Sequence, residues 1–286
     1  MLLVTGATGH LGSAVVSQLL KKTKPSEISV LARDENKASA LRTNGIDVRI
    51  GSYDDISSLD KAMQGIPKLL LISGNGPNRL QQHKNVVNSA KKAGVAHIVY
   101  TSISIKNMKT AAIRPIMESI SQTEDIIKES GLQYTILRHT LYTGGTPLFG
   151  GEKILKTGIF LPTGDGKVPF ALRREMGEAA ANVLLQNGHE NKTYEITGTM
   201  LHSYEDVARE LSALSGQTVR YTDADPSVFA TKIKDFGLPE IVNQIVEGFS
   251  ADVKNHQFEK VTKDLENLLG RKPATLNASL KEIFNL

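Results

Sequence analysis

The sequence predicts an α/β fold built on a doubly wound parallel sheet, followed by a smaller, helix-rich C-terminal lobe. Over the first 140 residues, short aliphatic runs alternate with longer amphipathic segments, and the first run leads through three glycines into a helical segment. Many of the runs are apolar at successive positions instead of alternating with polar residues. Strands that are apolar on both faces and separated by helices are typical of a parallel sheet covered by helices on both sides.

The predicted elements of the first half follow one another in a regular order. Strands are predicted at 2–5, 28–32, 47–50, 68–73, 97–102 and 134–138. Between them, helices are predicted at about 11–22, 35–44, 55–64, 79–94 and 115–130. Gly45, Gly94 and Gly131 stand where glycine commonly ends a helix. Right-handed crossovers between these strands give the doubly wound sheet.

After about residue 140 the chain changes character, because glycine-rich segments at 142–151 and 162–167 predict loops. Helices are predicted at about 174–186, 203–215, 226–236, 238–248, 258–269 and 276–285, and strands at 192–198 and 218–223. We therefore predict a nucleotide-binding domain of residues 1–140. A small substrate-binding lobe of residues 141–286 follows, part of which can return to the sheet.

Composition excludes several classes of function. The 286 residues carry a net charge of +4, a small excess that does not favour nucleic acid as a partner. The chain contains no cysteine, so disulfides and thiolate metal sites are excluded. No metal-ligand spacing, signal peptide or membrane-spanning run is visible. We expect a cytoplasmic protein without a metal; the sequence does not indicate its oligomeric state.

Gly6, Gly9 and Gly12 stand between the first strand and the first helix. In this position, one glycine permits a tight turn, the next lets the backbone approach a pyrophosphate, and the third lets the helix pack closely on the strand. The amides and dipole at the helix N-terminus then favour a diphosphate. A plain turn is the alternative, but strand, helix and N-terminal placement together favour dinucleotide binding.

Arg33 follows the second predicted strand, about 20 residues past the glycine turn. An acidic residue at this point commonly binds the ribose of NAD and would repel a 2′-phosphate, whereas a guanidinium attracts one. The sequence therefore favours NADP(H) over NAD(H). Two alternatives remain open: Asp34 as a ribose ligand, and Arg33 as an ordinary solvent-facing residue.

Several stretches together resemble the atypical short-chain dehydrogenase/reductases, and within them the NmrA-like branch. They are VTGATGHLG, Arg33, LLLISGNG, HIVYTS and YTILRHTLY, joined by QQHKNVVNSAKKAGV, GHENKTYEITG and LLGRKPATLNASLKEIF. That branch includes NADPH-dependent quinone oxidoreductases of the second type and triphenylmethane reductases. The resemblance covers nearly the whole chain. It implies an NAD(P)-binding Rossmann fold, a small C-terminal lobe and a cleft between them.

The resemblance also implies roles for individual residues. It assigns the phosphate turn to Gly6, Thr8, Gly9, His10, Leu11 and Gly12, and the 2′-phosphate to Arg33. It places Tyr53 near the adenine, and Ser73, Gly74 and Asn75 at the nicotinamide ribose. Thr101, His139, Thr140, Leu141 and Tyr142 would lie at the nicotinamide ring. The chain departs from those reductases at His139, where they have Asn, and near Ile120, where they have His.

The chemistry expected of this chain is hydride transfer without a strong acid–base pair. The helix IMESISQTEDIIK lacks the Tyr-x-x-x-Lys pair that most short-chain dehydrogenases use. Weak catalytic candidates are His139, Tyr142 and His83, of which His83 fits the helix surface equally well. Glu124 and Asp125 are predicted to form a solvated helix face. We expect an NADPH-dependent reductase of a flat hydrophobic acceptor such as a quinone; the alternative is a dinucleotide-binding redox sensor without turnover.

Overall fold

The computed structural model describes residues 1–74, 76–145 and 153–286. In the first half, strands and helices alternate as predicted. They are β1 (Leu2–Thr5), α1 (His10–Leu20), β2 (Ile28–Ala32), α2 (Glu35–Thr43), β3 (Asp47–Ile50), α3 (Ile56–Ala62), β4 (Lys68–Leu71), α4 (Arg79–Lys92), β5 (His97–Ile103), α5 (Arg114–Glu129) and β6 (Gln133–His139).

The second half contains more, and shorter, elements than predicted. They are α6 (Ile154–Thr157), β7 (Ile159–Leu161), β8 (Lys167–Val168), α7 (Arg173–Leu185), β9 (Lys192–Ile196), β10 (His202–Ser203), α8 (Tyr204–Ser215), β11 (Tyr221–Asp223), α9 (Pro226–Lys234), α10 (Glu240–Lys254), α11 (Asp264–Leu269) and α12 (Leu276–Phe284). The two-residue strands β8 and β10 pair with each other in antiparallel fashion, and β7 pairs in parallel with β11. Within the described residues, no helix is long and apolar enough to cross a membrane.

A seven-stranded sheet has the order β3-β2-β1-β4-β5-β6-β9. The pairs β2–β3, β1–β2, β1–β4 and β4–β5 are parallel. Leu3, Leu69, Leu70, Leu71 and Ile98 on these strands have no solvent exposure, as expected of strands covered on both faces. The chain runs outward from β1 in one direction to β3 and then in the other to β6, so the strand order reverses between β1 and β4. The predicted doubly wound α/β fold is confirmed.

The predicted helix at 258–269 is wrong in its first half, because only Asp264–Leu269 is helical. Thr262 explains the difference. Its amide donates to Thr197 Oγ1 over 3.0 Å, and its own hydroxyl donates to the carbonyl of Glu195 over 2.6 Å. These bonds to a distant segment take the place of helical ones.

The chain divides into two compact units. The first comprises Met1–Ile103, Ser119–Arg138 and Arg173–Tyr194, and the second comprises Ser104–Glu118, His139–Leu172 and Glu195–Leu286. The glycine turn, Arg33 and the ends of β4 and β5 belong to the first unit. His139 through Tyr142 belong to the second.

Candidate functional site

The glycine turn after β1 has the geometry that its sequence requires. Gly6 adopts φ +62°, in the left-handed region that favours glycine. The amide of Gly9 donates back to the carbonyl of Gly6 over 3.0 Å and closes the turn. A Cβ on Gly12 would lie 2.1 Å from that same carbonyl oxygen and 2.7 Å from Cα of Ala7. Any side chain at position 12 would therefore push α1 away from the turn.

The N-terminus of α1 is open to an anion. The first intrahelical bond runs from the amide of Ser13 to Gly9, so the amides of residues 10–12 precede it. No side chain caps this end, and its first turn carries no acidic residue. Thr8, Gly9 and His10 are exposed. This is the chemistry of a phosphate-binding helix terminus, and it fits a dinucleotide.

Arg33 follows β2 directly, and its side chain is exposed. Its neighbour Asp34 is the N-cap of α2, where the carboxylate accepts from the amides of Asn36 at 2.8 Å and Lys37 at 3.4 Å. The Asp34 carboxylate therefore already caps a helix, whereas Arg33 has an exposed side chain directly after β2.

The hydroxyl of Tyr53, a residue predicted near the adenine, is directed at the ends of β1 and β4. That hydroxyl lies within hydrogen-bonding distance of Thr5 Oγ1 and, at 3.1 Å, of the carbonyl of Ile72. Thr5 in turn donates to Leu70 and accepts from the amide of Ile72. Burial raises the pKa of Tyr53, so the phenol stays neutral. Only the ring of Tyr53 remains for contact with a base.

Ser73 and Gly74 follow β4, beside the end of β5. The amide of Ser73 donates to Thr101 Oγ1 over 3.1 Å and ties the two strand ends together. Arg79, the first residue of α4, donates from Nε to the carbonyl of Gly74 over 2.5 Å. Asn75 lies outside the described residues. Ser73 and Gly74 are thus each held by a hydrogen bond to a neighbouring element.

His83 is buried, so the interpretation that it lies on the helix surface is wrong. Its ring has no solvent exposure, and Nδ1 lies 2.9 Å from Thr123 Oγ1. Desolvation, with the nearby charge of Arg79, lowers the pKa of His83 to about 3. A neutral imidazole is a poor proton donor near pH 7, which argues against His83 as a catalytic acid.

Glu124 is also buried, with 3% exposure, so the predicted solvated face is wrong at this residue and right at Asp125. The Glu124 carboxylate accepts from Ser102 Oγ at 2.5 Å and from Arg138 at 2.9 and 2.6 Å. Desolvation alone would raise the pKa of Glu124, but the hydrogen bonds from Arg138 and Ser102, with the positive charges of Arg138 and Lys128, outweigh it and lower the pKa. This cluster joins β5, α5 and β6.

In the second unit, His139 and Thr140 carry buried polar atoms. His139 is 4% exposed, its Nδ1 lies 3.4 Å from the hydroxyl of Tyr142, and burial lowers its pKa to about 3. Within the described parts of the chain, neither Nε2 of His139 nor the hydroxyl of Thr140 has a hydrogen-bond partner. Leu141 is buried beside them. Because buried polar atoms are nearly always paired, these two fit residues that bind polar groups of a ligand.

None of the three catalytic candidates is a strong acid at neutral pH. His83 and His139 are neutral, and Tyr142 is a phenol. Among the described residues, no three His, Asp or Glu side chains form a metal-binding group. These candidates therefore favour an acceptor whose reduced form needs little help from a protein acid.

Sequence reasoning missed Arg79 and Thr123, which pack around His83. A signal for Arg79 and His83 was present in α4, because positions 79, 83, 86 and 90 share one helical face. Val86 and Ala90 mark that face as the buried one.

Comparison with known proteins agrees with this geometry. The model of the NmrA-like family matches residues 1–283. The chain belongs to the NmrA-like family. Quinone oxidoreductase 2 of Escherichia coli is 37% identical over 100% of this chain and 99% of its own. The crystal structure of that enzyme with NADPH superposes with a TM-score of 0.93 and 34% identity over both full lengths. Citrobacter sp. triphenylmethane reductase with NADP(H) gives a TM-score of 0.91 and 33% identity over 99% of both chains.

Proposed function

We propose that this protein is an NADPH-dependent reductase that transfers a hydride to a quinone or a similar conjugated acceptor. The observation that carries the proposal is the likeness, over the full length of both chains, to a quinone oxidoreductase solved with NADPH. The glycine turn, the open N-terminus of α1 and the exposed Arg33 provide the groups that such a cofactor requires.

In this proposal each part of the site has a role. The amides at the start of α1 bind the pyrophosphate, and Arg33 binds the 2′-phosphate. The Ser73–Gly74 segment, with Thr101, receives the nicotinamide ribose. In the second unit, His139 and Thr140 supply buried polar atoms for polar groups of a ligand, beside Leu141 and Tyr142. The bound nicotinamide supplies the hydride, and the protein's task is to hold an acceptor close to it.

The neutral imidazoles explain why a quinone fits better than a simple ketone. Addition of a hydride to a quinone leaves a stabilised phenolate, which takes its proton from water. An alkoxide formed from a ketone is far more basic and needs a protein acid, which neither His83 nor His139 supplies.

Steady-state assays test the proposal directly. Purified protein mixed with NADPH and a panel of benzoquinones and naphthoquinones should consume NADPH, and NADH should serve at least about tenfold less well, because it lacks the phosphate that Arg33 binds. The sensor alternative predicts that NADPH binds, by calorimetry, while no quinone is reduced. That result would contradict the proposal.

A further inference from the structure

Arg79 is placed where a cation is costly. It is the first residue of α4, the end at which the helix dipole repels positive charge, and it is only 3% exposed. Its guanidinium spans two elements: Nε donates to the carbonyl of Gly74, 2.5 Å away, and Nη1 donates to Ser119 Oγ on α5, 3.0 Å away. Because burial and the helix dipole both disfavour this charge, its hydrogen bonds to Gly74 and Ser119 must compensate for a substantial energetic cost.

A second hydrogen bond, one helical turn later, also joins α4 to α5. Thr123 donates its hydroxyl proton to the carbonyl of Ser119 over 2.7 Å, so its oxygen must accept from His83 Nδ1 at 2.9 Å. Arg79 and His83 on α4 therefore face Ser119 and Thr123 on α5 at matching spacings of four residues. Through Arg79, the carbonyl of Gly74 is fixed to this pair of helices.

The carbonyl that Arg79 holds belongs to the crevice where a dinucleotide binds. In open α/β sheets ligands bind at the carboxyl ends of the strands, where the strand order reverses, and here that is between β1 and β4. The glycine turn follows β1 and Arg33 follows β2, which places the adenosine half toward β2. The other half of the dinucleotide must then extend toward β4, to Ser73 and Gly74.

We propose that Arg79 is a positioning residue for the nicotinamide half of the cofactor: it fixes the Ser73–Gly74 segment in the conformation that receives the nicotinamide ribose. The inference rests on the proposed function, because it requires NADPH in this crevice. Arg79 acts through the backbone that it holds, and the adenosine half of the cofactor does not depend on it.

Two ligands separate this role from a general structural one. NADPH occupies both halves of the crevice, whereas adenosine 2′,5′-bisphosphate carries the 2′-phosphate and the 5′-phosphate but no nicotinamide ribose. Arg79→Met keeps the length of the side chain and removes its donors. We expect this variant to lower the affinity for NADPH by about 10- to 100-fold, the effect of losing a charge-assisted hydrogen bond. The affinity for the bisphosphate should change less than twofold. Arg79→Lys should recover part of the loss, since an ammonium can still reach one acceptor.

Lys84→Ala is the matched control, because Lys84 is an exposed cation on the same helix; it should change neither affinity. If Arg79→Met does not fold, Ser119→Ala removes one acceptor of the Arg79 guanidinium and should lower the affinity for NADPH about threefold. Ser119→Thr keeps the hydroxyl and should leave that affinity unchanged. If Arg79→Met lowered the affinities for both ligands equally, or changed neither affinity, the proposed role of Arg79 would be overturned. Failure of the wild-type protein to bind either ligand would instead overturn the proposed function, and the inference with it.

Discussion

Arg33 has an exposed guanidinium with no hydrogen-bond or ion-pair partner in the described parts of the chain, directly after β2. Arg33→Asp replaces attraction to a 2′-phosphate by repulsion. We expect the dissociation constant of NADPH to rise by about 100-fold or more, and that of NADH to change less than threefold. Calorimetry with both nucleotides checks this.

Lys37→Asp is a suitable control for Arg33, since it reverses an exposed charge at the third residue of α2 without altering the end of β2. It should change NADPH binding by only a few fold, as expected of a solvent-screened charge. Equal losses of NADPH and NADH affinity in Arg33→Asp would mean that Arg33 does not select the cofactor.

At the same scale, the burial of Glu124 could not be predicted from the sequence, whereas that of His83 could be inferred from the helical face it shares with Val86 and Ala90. The glycine turn could be predicted because few other roles require three glycines between a strand and a helix. The burial of Glu124 depends on Ser102 and Arg138, which approach from β5 and β6, the strands before and after α5. A charged residue that pairs through tertiary contacts looks, in the sequence, like any solvated one.

Among the elements, the buried parallel strands were predictable because their aliphatic runs have few other interpretations. The observed bounds of β1, β2 and β3 equal the predicted ones. The strands β8 and β10 have two residues each, too few for any periodicity, and their pairing depends on segments about 35 residues apart. Helix α10 begins after Pro239 and extends six residues beyond the predicted end, to Lys254.

The contact of α5 with β5 and β6 depends on the Glu124 carboxylate. Glu124→Gln keeps the shape of the side chain but removes the negative charge that faces the Arg138 guanidinium. We expect a loss of about 2–3 kcal/mol in the free energy of unfolding, since removing one partner of a largely buried pair is costly and Arg138 is partly solvated. Urea unfolding at pH 7 measures it.

Asp125→Asn provides the comparison for Glu124→Gln, because Asp125 is the exposed neighbour on the same helix. It should change the free energy of unfolding by less than about 0.5 kcal/mol. If the two variants were equally stable, the Glu124 cluster would contribute nothing beyond a surface ion pair.

For the molecule as a whole, two buried histidines link stability to pH. His83 lies in the first unit and His139 in the second, and burial lowers the pKa of each to about 3. In the unfolded chain each imidazole takes up a proton near pH 6.5. Between these values the unfolded state binds more protons than the folded state, so stability must fall as the pH falls.

We therefore expect the free energy of unfolding to drop by about 2 kcal/mol for each of these histidines between pH 7 and pH 5, a range in which most carboxylates remain ionised. His83→Gln and His139→Asn should each reduce this pH-dependent loss by about 2 kcal/mol, whatever their effect on stability at pH 7. Urea unfolding at the two pH values measures the loss, and His10→Gln, at an exposed position, should leave it unchanged. A loss of the same size in all three variants and in the wild-type protein would show that neither buried imidazole is its source.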